Sequence, residues 1–238
     1  MKARSLKIAV VLSFATGLAV CACDARRGPS EPESASARRS AGAGEKPEML
    51  SPAEVVSRLG TYHLVRDYDG MERLIAADRR EETIAFLRAV DEVLDNNARL
   101  RQVAEQRLGG LAARAWSLSA LENNLGVFSA RTHLINQSFT GRTALVTLQE
   151  GENVPLVRAS FVLTDGGWKY QAPPSPGAMV PALRQLAAIL AEVTASLEQG
   201  ADVEAYVRAF VDRVWPQMNR VVAAGQGPRR VSVASEVP

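Results

Sequence analysis

The chain has 238 residues, 47% of them hydrophobic and 23% charged, with 28 basic against 26 acidic side chains. That is enough apolar material to bury the interior of one domain, and a formal net charge of +2 excludes the basic footprint of a nucleic-acid binder. Both cysteines, Cys21 and Cys23, lie near the amino end, so the rest of the chain carries neither a disulfide framework nor thiolate chemistry.

The first segment reads as an export signal. Lys2, Arg4 and Lys7 precede the uncharged run Ile8 to Val20, which as a helix would cover only about 20 Å, short of a hydrocarbon core about 30 Å thick. Residues 1–22 are therefore predicted to be a removable leader. Val20 stands three places before Cys23 and Ala22 directly before it, a pattern that resembles the lipobox of bacterial lipoproteins. The alternative, Cys21, follows the branched Val20 where a small side chain is wanted. The resemblance implies lipidation of Cys23 and an exported protein lipid-anchored to a bacterial membrane, facing the periplasm or the cell exterior. Several acyl chains make such an anchor stable. Without residues 1–22 the charges are 25 basic against 26 acidic.

Residues 23–50 are Ser, Ala, Gly, Pro and charges, with no large apolar side chain before Met49. Nothing there offsets ordering entropy, so a disordered tether is expected, with a reach of about 30 Å. A single α+β domain is predicted over residues 51–224, and a flexible tail over 225–238.

The domain opens with helical signals. Ser51-Pro52-Ala53-Glu54 is a capping box with proline at the first helical position, and Val55, Val56, Leu59 and His63 share one face of the helix that follows. After a break at residues 67–70, Asp69 with Glu72 is expected to cap a short helix carrying Met71, Leu74 and Ile75. Ile84, Leu87, Val90, Leu94, Leu100, Val103 and Leu108 mark a long helix to Gly109-Gly110, with a possible break at Asn96-Asn97. A further helix carries Leu111, Ala115, Trp116, Leu118 and Leu121.

Past Gly126 the spacing changes to two. Candidate strands are Val127–Gln137, Arg142–Glu150, Val154–Thr164 and Trp168–Ala172, joined by turns short enough to force an antiparallel meander. Helices before and after such a sheet, rather than between its strands, define an α+β layer arrangement. Leu183, Leu186, Leu190, Val193 and Leu197 mark the first of two C-terminal helices, ending at Gly200. Asp202 caps the second, with Val203, Tyr206, Val207, Phe210 and Val214, and Pro216 should kink or end it.

The stretches Val65 to Ile75 and Ala159 to Tyr170, the latter a strand, Asp165-Gly166-Gly167-Trp168 and a second strand, are similar to the nuclear-transport-factor-2-like superfamily with its SnoaL-like domains. The resemblance implies a curved sheet wrapped round helices as a cone-like roll, often with an apolar pocket. Residues 178–224 extend beyond the family's last strand and would cap that cone. The fold hosts enzymes, binding modules and assembly domains alike, so it does not itself assign a function.

No Walker loop, G-x-S-x-G, H-E-x-x-H or CxxC pattern occurs in residues 51–224, so no cofactor and no metal site is predicted. His133 reads as solvent-facing. His63 stands four residues before Asp67, a possible His-Asp pair on one helix face, and Glu81-Glu82 and Asp91-Glu92 read as exposed helix charges. Trp116, Trp168, Tyr170, Tyr206 and His63 are the residues most able to line a pocket. The expected role is a noncatalytic envelope module that binds a small apolar ligand or a partner protein. The alternatives are a hydrolase or isomerase using a polar residue in the cone, and a structural docking protein using the two C-terminal helices.

Overall fold

The structure is a computed structural model and describes residues 49–114, 118, 125–151, 155–173 and 176–225. Cys23, the expected leader, the expected tether before Met49, Trp116 and residues 226–238 lie outside the described residues.

Helix α1 (Pro52–Leu64) starts as its sequence dictates: Glu54 N–H donates to Ser51 Oγ at 3.3 Å, and Ser51 N–H donates back to Glu54 Oε2 at 2.7 Å. These reciprocal bonds satisfy two donors that a helix start leaves orphaned. The helix ends in a Schellman turn, with Asp67 N–H on Tyr62 O at 2.8 Å and Arg66 N–H on His63 O at 3.0 Å. Arg66 occupies the left-handed position of that turn, at φ 58°, where glycine is usual. Its guanidinium forks onto Asp95, but both side chains are about half exposed, so the pair contributes little. Arg66→Gly is therefore expected to be more stable than Arg66→Ala by about 1 kcal/mol in urea titrations, because both lose the fork and only alanine keeps the left-handed cost.

Helix α2 (Tyr68–Glu72) is capped by Asp67, whose Oδ1 accepts from Gly70 N–H at 2.8 Å, rather than by Asp69. The Schellman turn delivers Asp67 straight into the capping position and leaves no spacer before the new helix. Leu74 and Ile75 consequently fall past the helix end. Their segment runs beside the last strand instead, with Tyr170 N–H on Leu74 O and Ala76 N–H on Tyr170 O, both at 2.8 Å.

Helix α3 (Arg80–Leu108) runs 29 residues, about 44 Å, without a break at the paired asparagines. Asn97 is buried in the helix's packed face, and Asn96 Nδ2 donates to Glu92 O. A short helix α4 (Gly110–Arg114) follows Gly109, whose φ of 91° ends the long one.

The sheet among the described residues is antiparallel, in the order β1 (His133–Thr140), β2 (Thr143–Gln149), β3 (Val157–Thr164), β4 (Gly167–Gln171). The meander is as its turns require, but β1 begins six residues later than its alternating pattern suggests. Gly126 takes φ 58° and residues 126–128 form a 3-10 turn, held by Phe128 N–H on Leu125 O and Thr132 Oγ1–H on Gly126 O. Burial of Val127 and Phe128 within that turn, not strand pairing, produces the apolar spacing there. Ala144, Val146, Leu148, Ala159, Phe161 and Tyr170 form the buried face, against which α1 packs. The sheet does not close, and β1 is exposed at every residue.

Helix α5 (Pro176–Glu198) buries the predicted Leu183, Leu186, Leu190, Val193 and Leu197, but it packs along α3 instead of capping the sheet. A sheet already covered by α1 and the start of α3 leaves the remaining length of α3 as the largest apolar face for it. Its segment Gly177–Glu198 is long and apolar enough to cross a membrane by length and composition, a test that core helices also pass. Asp202 caps α6 (Val203–Ala209), accepting from Ala205 N–H at 2.9 Å. A π-helical turn, Phe210–Val214, then leads into α7 (Trp215–Gly225), so Pro216 does not end the helix. Trp215 N–H reaches back five residues to Phe210 O, and this wider turn accommodates the proline that follows. Gln217 ties α7 to α5 by donating to Ala182 O at 2.8 Å. The buried side chains fall into a sheet cluster and a helical cluster, with Phe86 and Leu125 packed against both.

Candidate functional site

A buried polar cluster lies where α1 ends against α3 and the 125–131 loop. His63 is 8% exposed and Asp91 7% exposed. Asp91, expected on the solvent face, lies inside because it continues the stripe of Ile84 and Leu87 at spacings of three and four. His63 pairs with it rather than with Asp67, whose carboxylate is committed to capping α2. A carboxylate on an otherwise apolar helical stripe was the sequence signal for this cluster.

The hydrogen positions follow from the contacts. His63 Nδ1 stands 3.0 Å from Phe128 O, a carbonyl that only accepts, so Nδ1 carries a hydrogen. Nε2 lies 3.1 Å from Asp91 Oδ1, at ion-pair distance but without an aligned hydrogen bond. The Tyr68 hydroxyl donates to Asp91 Oδ2 at 2.5 Å. Burial pushes the Asp91 carboxyl up, but the adjoining His63 ring and the Tyr68 hydroxyl, with Arg66 nearby, outweigh this and hold it below its ordinary value. Asp91 is thus a carboxylate at neutral pH, with His63 Nε2 beside one oxygen and the Tyr68 hydroxyl on the other. Burial, then the bond to Asp91, pushes the Tyr68 hydroxyl up to about 12, and Arg88 stacks over its ring at 4.7 Å.

His63 and Asp91 face a groove of about 320 Å³, walled by Leu64, Leu125, Phe128 and Ala130 with Arg131 beside them. Phe128 O stands at one ring nitrogen of His63 and Asp91 at the other, so both nitrogens face groups of the protein. Among the described residues no group of three or more His, Cys, Asp or Glu is arranged to hold a metal ion.

Gly60 lets the loop approach α1. A Cβ there would lie 2.8 Å from Ser129 O and 3.1 Å from Ala130 Cα, both backbone atoms that cannot swing aside. Gly60→Ala is expected to lose about 1–3 kcal/mol in thermal melts, despite alanine's better helix propensity, since the loop must shift.

A second groove of about 320 Å³ lies between the sheet and the helical layer, lined largely by apolar side chains that include Phe86, Leu125, Val127, Tyr170, Ala172 and Met179. Tyr170 therefore does line a groove, while most of its ring packs edge-on against Phe128 at 5.4 Å. Trp168 is half-buried against Phe139 of β1, ring centres 5.6 Å apart. Tyr206 belongs to the helical core, 2% exposed, its hydroxyl on Ala112 O at 3.4 Å. His133 lies on the exposed β1. The structure thus brings His63 to one groove and Tyr170 to the other, and places Trp168 and Tyr206 elsewhere.

Among the described residues the arrangement is an α+β domain with an open antiparallel sheet, a polar groove at the end of α1 and an apolar groove between the layers. No protein family, no curated protein and no solved structure matches the chain.

Proposed function

We propose that this chain is an exported, lipid-anchored envelope protein whose α+β domain is a noncatalytic binding module, similar in kind to nuclear-transport-factor-2-like domains, for a small apolar ligand. The observation that carries the binding role is the apolar groove between the sheet and the helical layer. Its volume is at the lower end for ligand sites, and its lining is mainly aromatic, aliphatic and thioether. The anchor rests on the leader pattern ending at Cys23. Nile red, an uncharged dye, is expected to bind saturably and to lose that binding in Met179→Glu, whereas failure to saturate, or equal binding by the variant, overturns the ligand role. Absence of acyl labelling in the wild type would overturn the anchor, and labelling that persists in Cys23→Ser would move it to Cys21.

A second reading, docking to an envelope partner, is favoured by one observation. Val203, Val207, Val211 and Trp215 recur every four residues and are all at least 37% exposed, making an apolar stripe along α6, the π turn and the start of α7. Crosslinking in native membranes from photoreactive groups at 207 and 211, but not at the exposed Arg101 of α3, would select it.

A further inference from the structure

The last residue of α7, Gly225, is itself part of the wall of the apolar groove, beside Phe86, Leu125, Tyr170 and Met179. Its backbone lies so close to Met179 that a Cβ there would meet the sulfur at 3.0 Å. Whatever follows residue 225 therefore starts at the groove. The sequence that follows, residues 226–238 (QGPRRVSVASEVP), has a composition suited to that place. Gly227-Pro228 opposes further helix, because proline lacks an N–H and disfavours helical backbone in the residue before it. Val231-Ser232-Val233 alternates apolar and polar, so an extended chain turns both valines to one side. At about 3.3 Å per residue, the stretch from Gly225 to Val231 reaches about 20 Å, enough to arrive anywhere in a groove of about 320 Å³.

The charges agree with this placement. Arg229 and Arg230 precede the valines. Glu82 stands beside the groove, since its neighbour Thr83 lines it and its own side chain would lie 3.3 Å from a Cβ at Gly177, two residues before Met179. The Glu82 side chain is about half exposed and its Oε2 is 3.5 Å from Arg79, which leaves room for a second cation at the carboxylate.

We propose that residues 229–234 lie back in the apolar groove as a tethered competitor, with Val231 and Val233 against Phe86 and Met179 and the arginine pair beside Glu82. The proposal rests on the reading of that groove as a ligand site and adds its regulation. A segment attached at the wall meets the groove at an effective concentration in about the millimolar range. A free apolar ligand binds only those molecules whose segment is out, and its apparent affinity falls by that fraction. If the segment is out in about one molecule in ten, the ligand binds about tenfold more weakly than the open groove allows.

The intact chain tests this through Val231→Asp/Val233→Asp, two substitutions outside every described helix and strand, so the domain should fold. Nile red is expected to bind this variant about tenfold more tightly than the wild type. Ser232→Asp/Ala234→Asp adds the same charge on the other side of an extended segment and should leave the dye's affinity unchanged. A second readout does not use the dye: the Met179 methyl resonance in NMR is expected to differ between the wild type and Val231→Asp/Val233→Asp in dye-free protein. A Met179 resonance that stays in place, or an equal gain in affinity from Ser232→Asp/Ala234→Asp, overturns the competitor. Measurable but equal Nile red affinity in the wild type and Val231→Asp/Val233→Asp also overturns it, while leaving the ligand reading standing. A shifted Met179 resonance with no Nile red binding by either chain supports the competitor and overturns the ligand reading instead.

Discussion

Asp91→Ala is expected to destabilise the domain by about 1–3 kcal/mol, the cost of leaving buried polar groups without their partner. The loss comes from what remains behind. The His63 ring keeps Phe128 O on Nδ1 but loses the carboxylate beside Nε2, and the Tyr68 hydroxyl loses its acceptor. Removing both side chains is a different experiment. In His63→Leu/Asp91→Leu neither member of the pair is left facing an absent partner, so the double variant should be markedly more stable than the sum of its single variants predicts, by about 1–3 kcal/mol in a denaturant cycle. Additive losses would show that the two side chains are not energetically coupled.

The same pair sets an acid dependence. Asp91 has a carboxyl held below its ordinary value of 3.8 in the folded chain, so the folded state binds fewer protons there than the unfolded chain does. Its contribution is present at neutral pH and is lost as pH falls through about 4 toward the folded value. Stability measured from pH 6 to pH 3 should fall more steeply in the wild type than in the His63→Leu/Asp91→Leu variant.

What the sequence made legible follows from how local each cause is. Ser51 and Glu54 act within one helical turn, as does Asp202, and the spacing of Leu183 to Leu197 needs only that some apolar surface lie opposite. The turn at Asp165-Gly166-Gly167 is equally local, because Gly167 adopts φ 96° and Thr164 Oγ1–H closes onto its carbonyl. The errors arose where a distant partner decided the outcome. Residues 127–132 alternate like a strand, yet Phe128 is drawn into the core and its carbonyl onto His63, 65 residues away. At Pro216 the cause is local instead: its missing N–H predicts a helix end, but the π turn just before it changes which carbonyl its neighbour needs.

The candidate site was legible in part for the same reason. His63 lay on the apolar face of α1 and was recognisable as such, but its partner required knowing that α3 crosses the end of α1. Asp91 carried a usable signal in its place on the Ile84–Leu87 stripe, which the adjacent Glu92 disguised as a surface pair. The apolar groove had no sequence signature, because it lies between two layers whose relation depends on α5 choosing α3 over the sheet.

That choice can be tested through Leu190, which is fully buried between α5 and its neighbours and belongs to the helical cluster. Leu190→Ala is expected to cost about 2–5 kcal/mol, the transfer free energy of the lost side-chain atoms plus the cavity they leave. Relaxation into that cavity is limited on its own helix, where Thr194 Oγ1–H is bonded to Leu190 O at 2.8 Å. The more informative quantity is where the loss is felt. Phe86 and Leu125 touch both clusters, so the sheet and the helical layer should unfold together. In a background whose only tryptophan is Trp168, beside the sheet, fluorescence should report the same shifted midpoint as far-UV circular dichroism, which is dominated by the helices. A helical signal that melts early while Trp168 holds its native emission would instead make the α3–α5 layer a separately unfolding unit, and the apolar groove between the layers would then open before the sheet does.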